Sequence, residues 1–129
     1  MTTPAEYIIE AVEAACDVSL AIPYRPSRLD GKMAFVAPAD VWKEVDEEGT
    51  YCGFSIGLDV YLVAPSTDQG MALSWLDEQS TILMNLAPID VGDDSVDATS
   101  VDAPFVFTAG DGSTFFATRV IYSRHTIGD

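Results

Sequence analysis

Cations are scarce in this 129-residue chain: six Lys and Arg stand against 21 Asp and Glu, leaving a net charge of −15. A surface that negative repels phosphate backbones and argues against general nucleic-acid binding. Histidine occurs once, as His125 near the C-terminal end. Nucleophilic catalysis needs a base beside the nucleophile, and a single histidine there reads as a terminal surface charge in an exposed tail. The two cysteines, Cys16 and Cys52, are too few for a disulfide framework and lack the C-x-x-C spacing of a zinc or redox site. Both lie among apolar neighbours and read as buried free thiols. No stretch approaches the roughly 18 apolar residues of a membrane span, and Met1–Glu6 does not look like a targeting segment; the expectation is a soluble protein made in a cytoplasm. Nine glycines and seven prolines are average usage, which excludes collagen-like or linker-dominated architectures. There is no internal repeat.

What is present is a core. Apolar residues make up 48% of the chain, enough for one domain of this length to bury most of its apolar surface. Thr3, Pro4 and Glu6 form a helix start with a capping box, and the helix runs to about Cys16 with Ile8, Ile9, Val12 and Ala15 on one face and Glu6, Glu10, Glu13 and Asp17 on the other. Val18, Leu20 and Ile22 alternate as a short strand, and a second short strand is expected at Met33–Val36, with Val41–Val45 extended. The clearest strand is 51–62, where Cys52, Phe54, Ile56, Leu58, Val60 and Leu62 share what is read as its one buried face. Pro65 ends it. Ser66-Thr67-Asp68-Gln69 reads as a second capping box, followed by a stripe of Ala72, Trp75, Leu76, Gln79, Ile82, Leu83 and Leu86 that ends before Pro88. Asp90 to Asp102 holds five aspartates and reads as an acidic loop with a short strand near 96–98. Phe105–Thr108 and 114–123 flank a Gly-rich turn as a hairpin. The predicted fold class is α+β: two helices packed on an antiparallel or mixed sheet of about four to six strands.

Chemistry-bearing clusters are few. The loop carrying Arg25, Arg28 and Lys32 holds half of the positive charge; it is either a loop kept soluble by charge or a subunit interface, because a head-to-tail contact joins two different patches of one subunit. Trp42, beside Lys43 and Glu44, is either core or an interface anchor. Glu6, Glu10 and Glu13 form an acidic face that is solvated, lines an opening or meets a basic partner. Asp93 and Asp94 sit in the acidic loop without the alternating ligand spacing of an EF-hand, and Gly110-Asp111-Gly112 lacks the Lys and helix start of a phosphate-cradling loop. No catalytic, metal or cofactor-binding residue is assigned.

The helix start Thr3–Ile9, the segment Ala34–Asp40, the run Asp59–Asp68 leading into Ala72–Glu78, and the closing Thr118–Tyr122 together resemble tail terminator proteins of long-tailed bacteriophages, especially those infecting actinobacteria. The resemblance spans nearly the whole chain and rests on segment order and local wording. It implies a small α/β structural protein of the virion, synthesised in a host bacterium, that closes into a hexameric ring on the last ring of the tail tube. Such a ring stops tail polymerisation and presents a surface to the head connector. The implied partners are identical subunits, the major tail tube protein and a head-tail connector or head-completion protein; no enzyme activity, cofactor or membrane is implied. Six copies at −15 each would concentrate carboxylates that must face solvent or line the bore, and an acidic bore lets DNA pass without sticking. The rival expectations are another neck or tail-completion protein, an acidic inhibitor that imitates DNA, and a metal-dependent hydrolase using the 90–102 loop.

Overall fold

The computed structural model describes residues 3–24, 26, 31–45, 54–65, 67–91, 95–108 and 112–125, excepting the side chains of 39–45, 54–56 and 123–125. Its elements run α1 (Pro4–Ala15), β1 (Leu20–Ile22), β2 (Met33–Val45), β3 (Phe54–Pro65), α2 (Gln69–Asn85), β4 (Ile89–Asp90), β5 (Ser95–Val101), β6 (Phe105–Thr108) and β7 (Thr114–His125).

Helix α1 begins where the sequence signals it. Thr3 Oγ1 accepts the Glu6 amide at 3.3 Å, and Glu6 Oε1 accepts the Thr3 amide at 3.2 Å, which satisfies two helix-terminal donors at once. Pro4 occupies the first turn, where its missing N–H costs nothing. Helix α2 is capped by Asp68 instead of the expected Ser66: Asp68 Oδ1 accepts the Met71 amide at 3.0 Å. The carboxylate also complements the positive end of the helix dipole.

The seven strands form one mixed sheet in the order β1-β2-β3-β7-β5-β4, with β6 also paired to β7. Only β1 and β2 are parallel; all other pairings are antiparallel. The α+β class is as expected from sequence; within the acidic stretch 90–102 the short strand expected near 96–98 extends to Ser95–Val101 as β5, and β4 (Ile89–Asp90) is an additional strand beside it. Alternating Val96, Ala98 and partly buried Val101 turn toward the core there, so burial outweighs the low strand propensity of Asp. The segments 33–36 and 41–45 are one strand, broken in register between Pro38 and Lys43. Pro38 offers no amide to the ladder, which is the physical reason for an irregularity there. The expected C-terminal tail is also part of the sheet as far as His125, which pairs with Ser95.

Both helices cover one face of the sheet: α1 packs on β1, β2 and β4, and α2 on β3, β5 and β7. Ile8, Val12, Leu62, Leu76, Leu83 and Val120 are fully buried between the layers. Truncating such a residue, Leu62 for example, to Ala costs about 2–5 kcal/mol. Contact of α1 with both outer strands means that the sheet wraps partly around it. The opposite face carries a second core of Met33, Phe35, Val63, Phe115 and Ala117. Strand β3 is therefore covered on both faces from Leu58 to Ala64, where its alternation had indicated one buried face. Among the described residues no helix is long and apolar enough to cross a membrane.

Candidate functional site

Strands β2 and β6 are separated by β3 and β7, which in a flat sheet places them about 14 Å apart at ~4.8 Å per strand. The Phe35 and Phe107 rings are nonetheless 6.1 Å apart, so the sheet curls over this face. Tyr61 stacks on Phe35 at 4.9 Å and meets Phe105 edge-on at 6.4 Å, the offset and edge geometries that aromatic quadrupoles favour. Beside the rings lies the central charge cluster of the described residues. Arg119 Nε donates to Asp102 Oδ2 at 2.7 Å, and Nη1 lies 3.5 Å from Oδ2 of Asp59, a residue only 2% exposed. The Tyr61 hydroxyl also favours the charged form of the same guanidinium. The hydrogen bond to Asp102 is the main reason the Arg119 pKa is raised, against a smaller opposing effect of burial. The cluster thus ties β3, β7 and the β5–β6 junction together, helped by Thr118 Oγ1 donating to the Asp102 carbonyl at 2.6 Å.

At one end of the sheet, β2 and β3 run past the pairings of their neighbours among the described residues. The last pairing of β3 with β7 is Leu58↔Tyr122, whereas β2 and β3 continue to pair at Lys43↔Ile56, Glu44↔Ser55 and Val45↔Phe54. This is a two-stranded arm. A two-stranded ribbon is marginal in water unless something packs on it. Trp42 belongs to the irregular stretch of β2 at the root of the arm; its side chain lies outside the described residues.

The two ends of α2 differ in character. Near its start, Lys32 Nζ stands 5.7 Å from the centre of the Trp75 ring, and Trp75 Nε1 donates to the Asp17 carbonyl at 3.1 Å. Tyr24 and Met71 are exposed there, at 63% and 69%. Arg25 and Arg28 lie outside the described residues, so the structure brings only Lys32 of the basic loop to a known place. At the far end, a groove of about 640 Å³ runs between α1 and the α2–β4 connection, floored by Ala11, Ala14, Leu86 and Pro88 and edged by Glu10 and Asp90. Ala14, Leu86, Pro88, Glu10 and Asp90 are exposed. Glu13 is exposed as well, whereas Glu6 is held in the cap of α1. Asp93 and Asp94 lie outside the described residues.

A smaller cleft of about 360 Å³ between α2 and the β5–β6 junction is lined by Asp77, Ser80, Thr81 and Asp102 among others. Its hydroxyls are already engaged: Ser80 and Thr81 both donate to the Asp77 carbonyl, at 3.1 and 2.8 Å. Among the described residues no three His, Cys, Asp or Glu side chains converge as metal ligands would. Cys16 is buried and free, as expected, with its pKa pushed up by burial to about 11. Such a thiol is a packing group with little thiolate at neutral pH.

Two arrangements are not among the expectations from sequence. Asp59 and Arg119 stand only as alternation positions in the sequence, although the single acid of β3 and an arginine of β7 in a cation-poor chain are a pairing signal. Gln79 was one polar residue in an apolar stripe. In the structure its Oε1 accepts the Asp17 amide at 2.9 Å while Cys16 Sγ–H points to its carbonyl at 4.0 Å, so it serves the C-terminal end of α1.

No family model matches the chain, and no curated protein matches it. Nine chains of solved structures do. One of them, whose name states no function, aligns with a TM-score of 0.51 at 17% identity, over 96% of this chain and 92% of its own. That likeness shows a shared fold across the whole domain.

Proposed function

We propose that the chain is a structural assembly subunit of the tail-terminator type. It closes into a ring, in the hexameric form the sequence resemblance implies, on the head-proximal end of a bacteriophage tail tube. There it halts tube growth and offers a surface to a head-tail connector or head-completion protein. Its place is the virion, and its chemistry is shape and contact, with no cofactor and no turnover.

The observation that carries this reading is the β2–β3 arm. Three residue pairs continue the hairpin past the support of β7, and a ribbon of that kind gains its stability from a neighbour. Continuous coverage of the chain by a shared α+β fold is compatible with it, and the excess of carboxylates suits a bore through which DNA slides. The test is negative-stain imaging and light scattering of the purified protein with and without isolated tail tubes. The expected result is six-fold rings at one tube end. Monomers that neither assemble nor bind tubes would remove the proposal.

A further inference from the structure

Both helices end against one groove that carries acid and no base, and we infer that this groove docks a cationic amphipathic helix of a different protein. The docking holds whether or not the chain forms rings.

One wall of the groove is a stripe of α1 through Tyr7, Ala11 and Ala14, and the other is the α2–β4 connection through Leu86 and Pro88. Ala14, Leu86 and Pro88 are exposed although apolar. From Tyr7 to Ala15 the α1 wall is about 12 Å long at 1.5 Å per residue, which gives room for about two turns of a docked helix. The alanines on that wall let a second helix axis come close, because the distance between packed helices follows the size of the side chains at the contact.

Electrostatics sets the sign of the occupant. Glu10 stands exposed on the α1 rim and Asp90 on the opposite rim. Ala14 and Ala15 belong to the last turn of α1, and Leu86 is the C-cap of α2, so the C-terminal ends of both helices line the groove. A helix C-terminus is the negative end of the peptide dipole and favours a cation nearby. Neither helix has a basic residue in its last turn to supply one, and among the described residues no Lys or Arg lines the groove. Two carboxylates and two helix ends of the same sign thus flank an apolar floor. The matching partner is a helix whose apolar stripe is bordered on both sides by Lys or Arg, laid into the groove by that stripe. A second copy has no such helix to offer, because α1 and α2 contain no Lys or Arg at all. With six cations against 21 acids in the chain, two copies meeting here would also set carboxylate against carboxylate.

The probe is a labelled synthetic peptide of about four helical turns, with Leu at i, i+3, i+4 and i+7 bordered by Arg, and a counterpart carrying Gln in place of every Arg. By fluorescence anisotropy the Arg peptide is expected to bind at least tenfold more tightly than the Gln peptide. Glu10→Gln with Asp90→Asn should weaken binding of the Arg peptide at least tenfold, and Leu86→Ser should weaken it about threefold with its salt dependence unchanged. The control is Asp77→Asn with Glu78→Gln, which removes the same charge from exposed positions of α2 outside the groove and should change binding less than twofold. Thermal melts check that each variant is folded. In the wild type, the amide chemical shifts that move most on adding the Arg peptide should be those of Ala11, Ala14 and Leu86. A control variant that weakens binding as much as the groove variant would show attraction to the overall charge and overturn the docking site. Equal binding of the two peptides, no binding of either, or shift changes centred away from the groove would overturn it as well.

Discussion

Arg119 Nε and Asp102 Oδ2 stand 2.7 Å apart on the curled face of the sheet, and the same guanidinium is the cation facing buried Asp59. The two carboxylates are not equivalent. Asp102 is 37% exposed at its side chain and keeps contact with water, whereas Asp59 is 3% exposed and depends on its protein surroundings.

Arg119→Ala should therefore destabilise the protein by about 3 kcal/mol or more, because it removes a cation from beside a buried carboxylate and breaks the bond to Asp102 as well. Asp102→Ala should cost about 1 kcal/mol, as for a solvent-accessible partner. Urea denaturation of the two variants checks the order, and adding Asp59→Asn to Arg119→Ala should recover part of the loss. Equal effects of the two single substitutions would show that Asp59 is solvated in the folded protein.

Gln79→Leu keeps the volume of a core position but removes the acceptor for the Asp17 amide. The expected loss is about 1–3 kcal/mol from an amide left without its partner. Gln79→Glu keeps the oxygen but puts an ionisable carboxyl at a position only 1% exposed, so its loss should be larger at neutral pH than near pH 4, read as the shift in urea midpoint at unchanged slope.

Alkaline pH should destabilise the protein through the interior beside α1. Burial raises the Cys16 thiol from its ordinary 9.0 to about 11. Burial chiefly, and then proximity to Cys16, raises the Tyr122 hydroxyl as well. Between pH 9 and 11 the unfolded chain loses the thiol proton while the folded chain keeps it. The folded state then binds more protons, and stability falls as pH rises. The thiol stabilises the fold fully below pH 9, and about 2–3 kcal/mol disappears by pH 11 at 1.36 kcal/mol per pKa unit. Cys16→Ala should flatten the urea-midpoint profile across that window, with Tyr122→Phe flattening its upper end.

How far these features were readable from sequence depended on the range of the interaction. Capping and periodicity are local, so the Thr3–Glu6 box, the α1 stripe and the β6–β7 hairpin followed from neighbours within a few residues. Strand 33–45 did not, because Pro38 interrupts a pattern that only pairing with β3 across the sheet holds together. The 90–102 stretch reads as an acidic loop with only a short strand near 96–98, yet pairing with β7 and the core side of Val96 extend that strand over Ser95–Val101. The Asp59–Arg119 pair links positions 60 apart in the chain, and nothing local distinguishes it from ordinary alternation. Of the candidate site residues, the exposed placements of Glu10 and Glu13 followed from the helical face alone, whereas Lys32 over Trp75 required the tertiary fold.

The arm should behave differently in free and assembled protein. In the free protein, amides of Phe54 to Ile56 have β2 as their described partner strand and should exchange with solvent at least tenfold faster than those of Val60 to Val63, which lie between β2 and β7. On assembly, the arm amides should slow by a similar factor while the central ones change little.

The most direct measurement is imaging of the purified protein mixed with isolated tail tubes, paired with the mass of the free species by light scattering. The account predicts rings of six capping a single end of each tube and tubes that stop growing once capped. Tubes that elongate unhindered, with the protein left as free monomers, would contradict it.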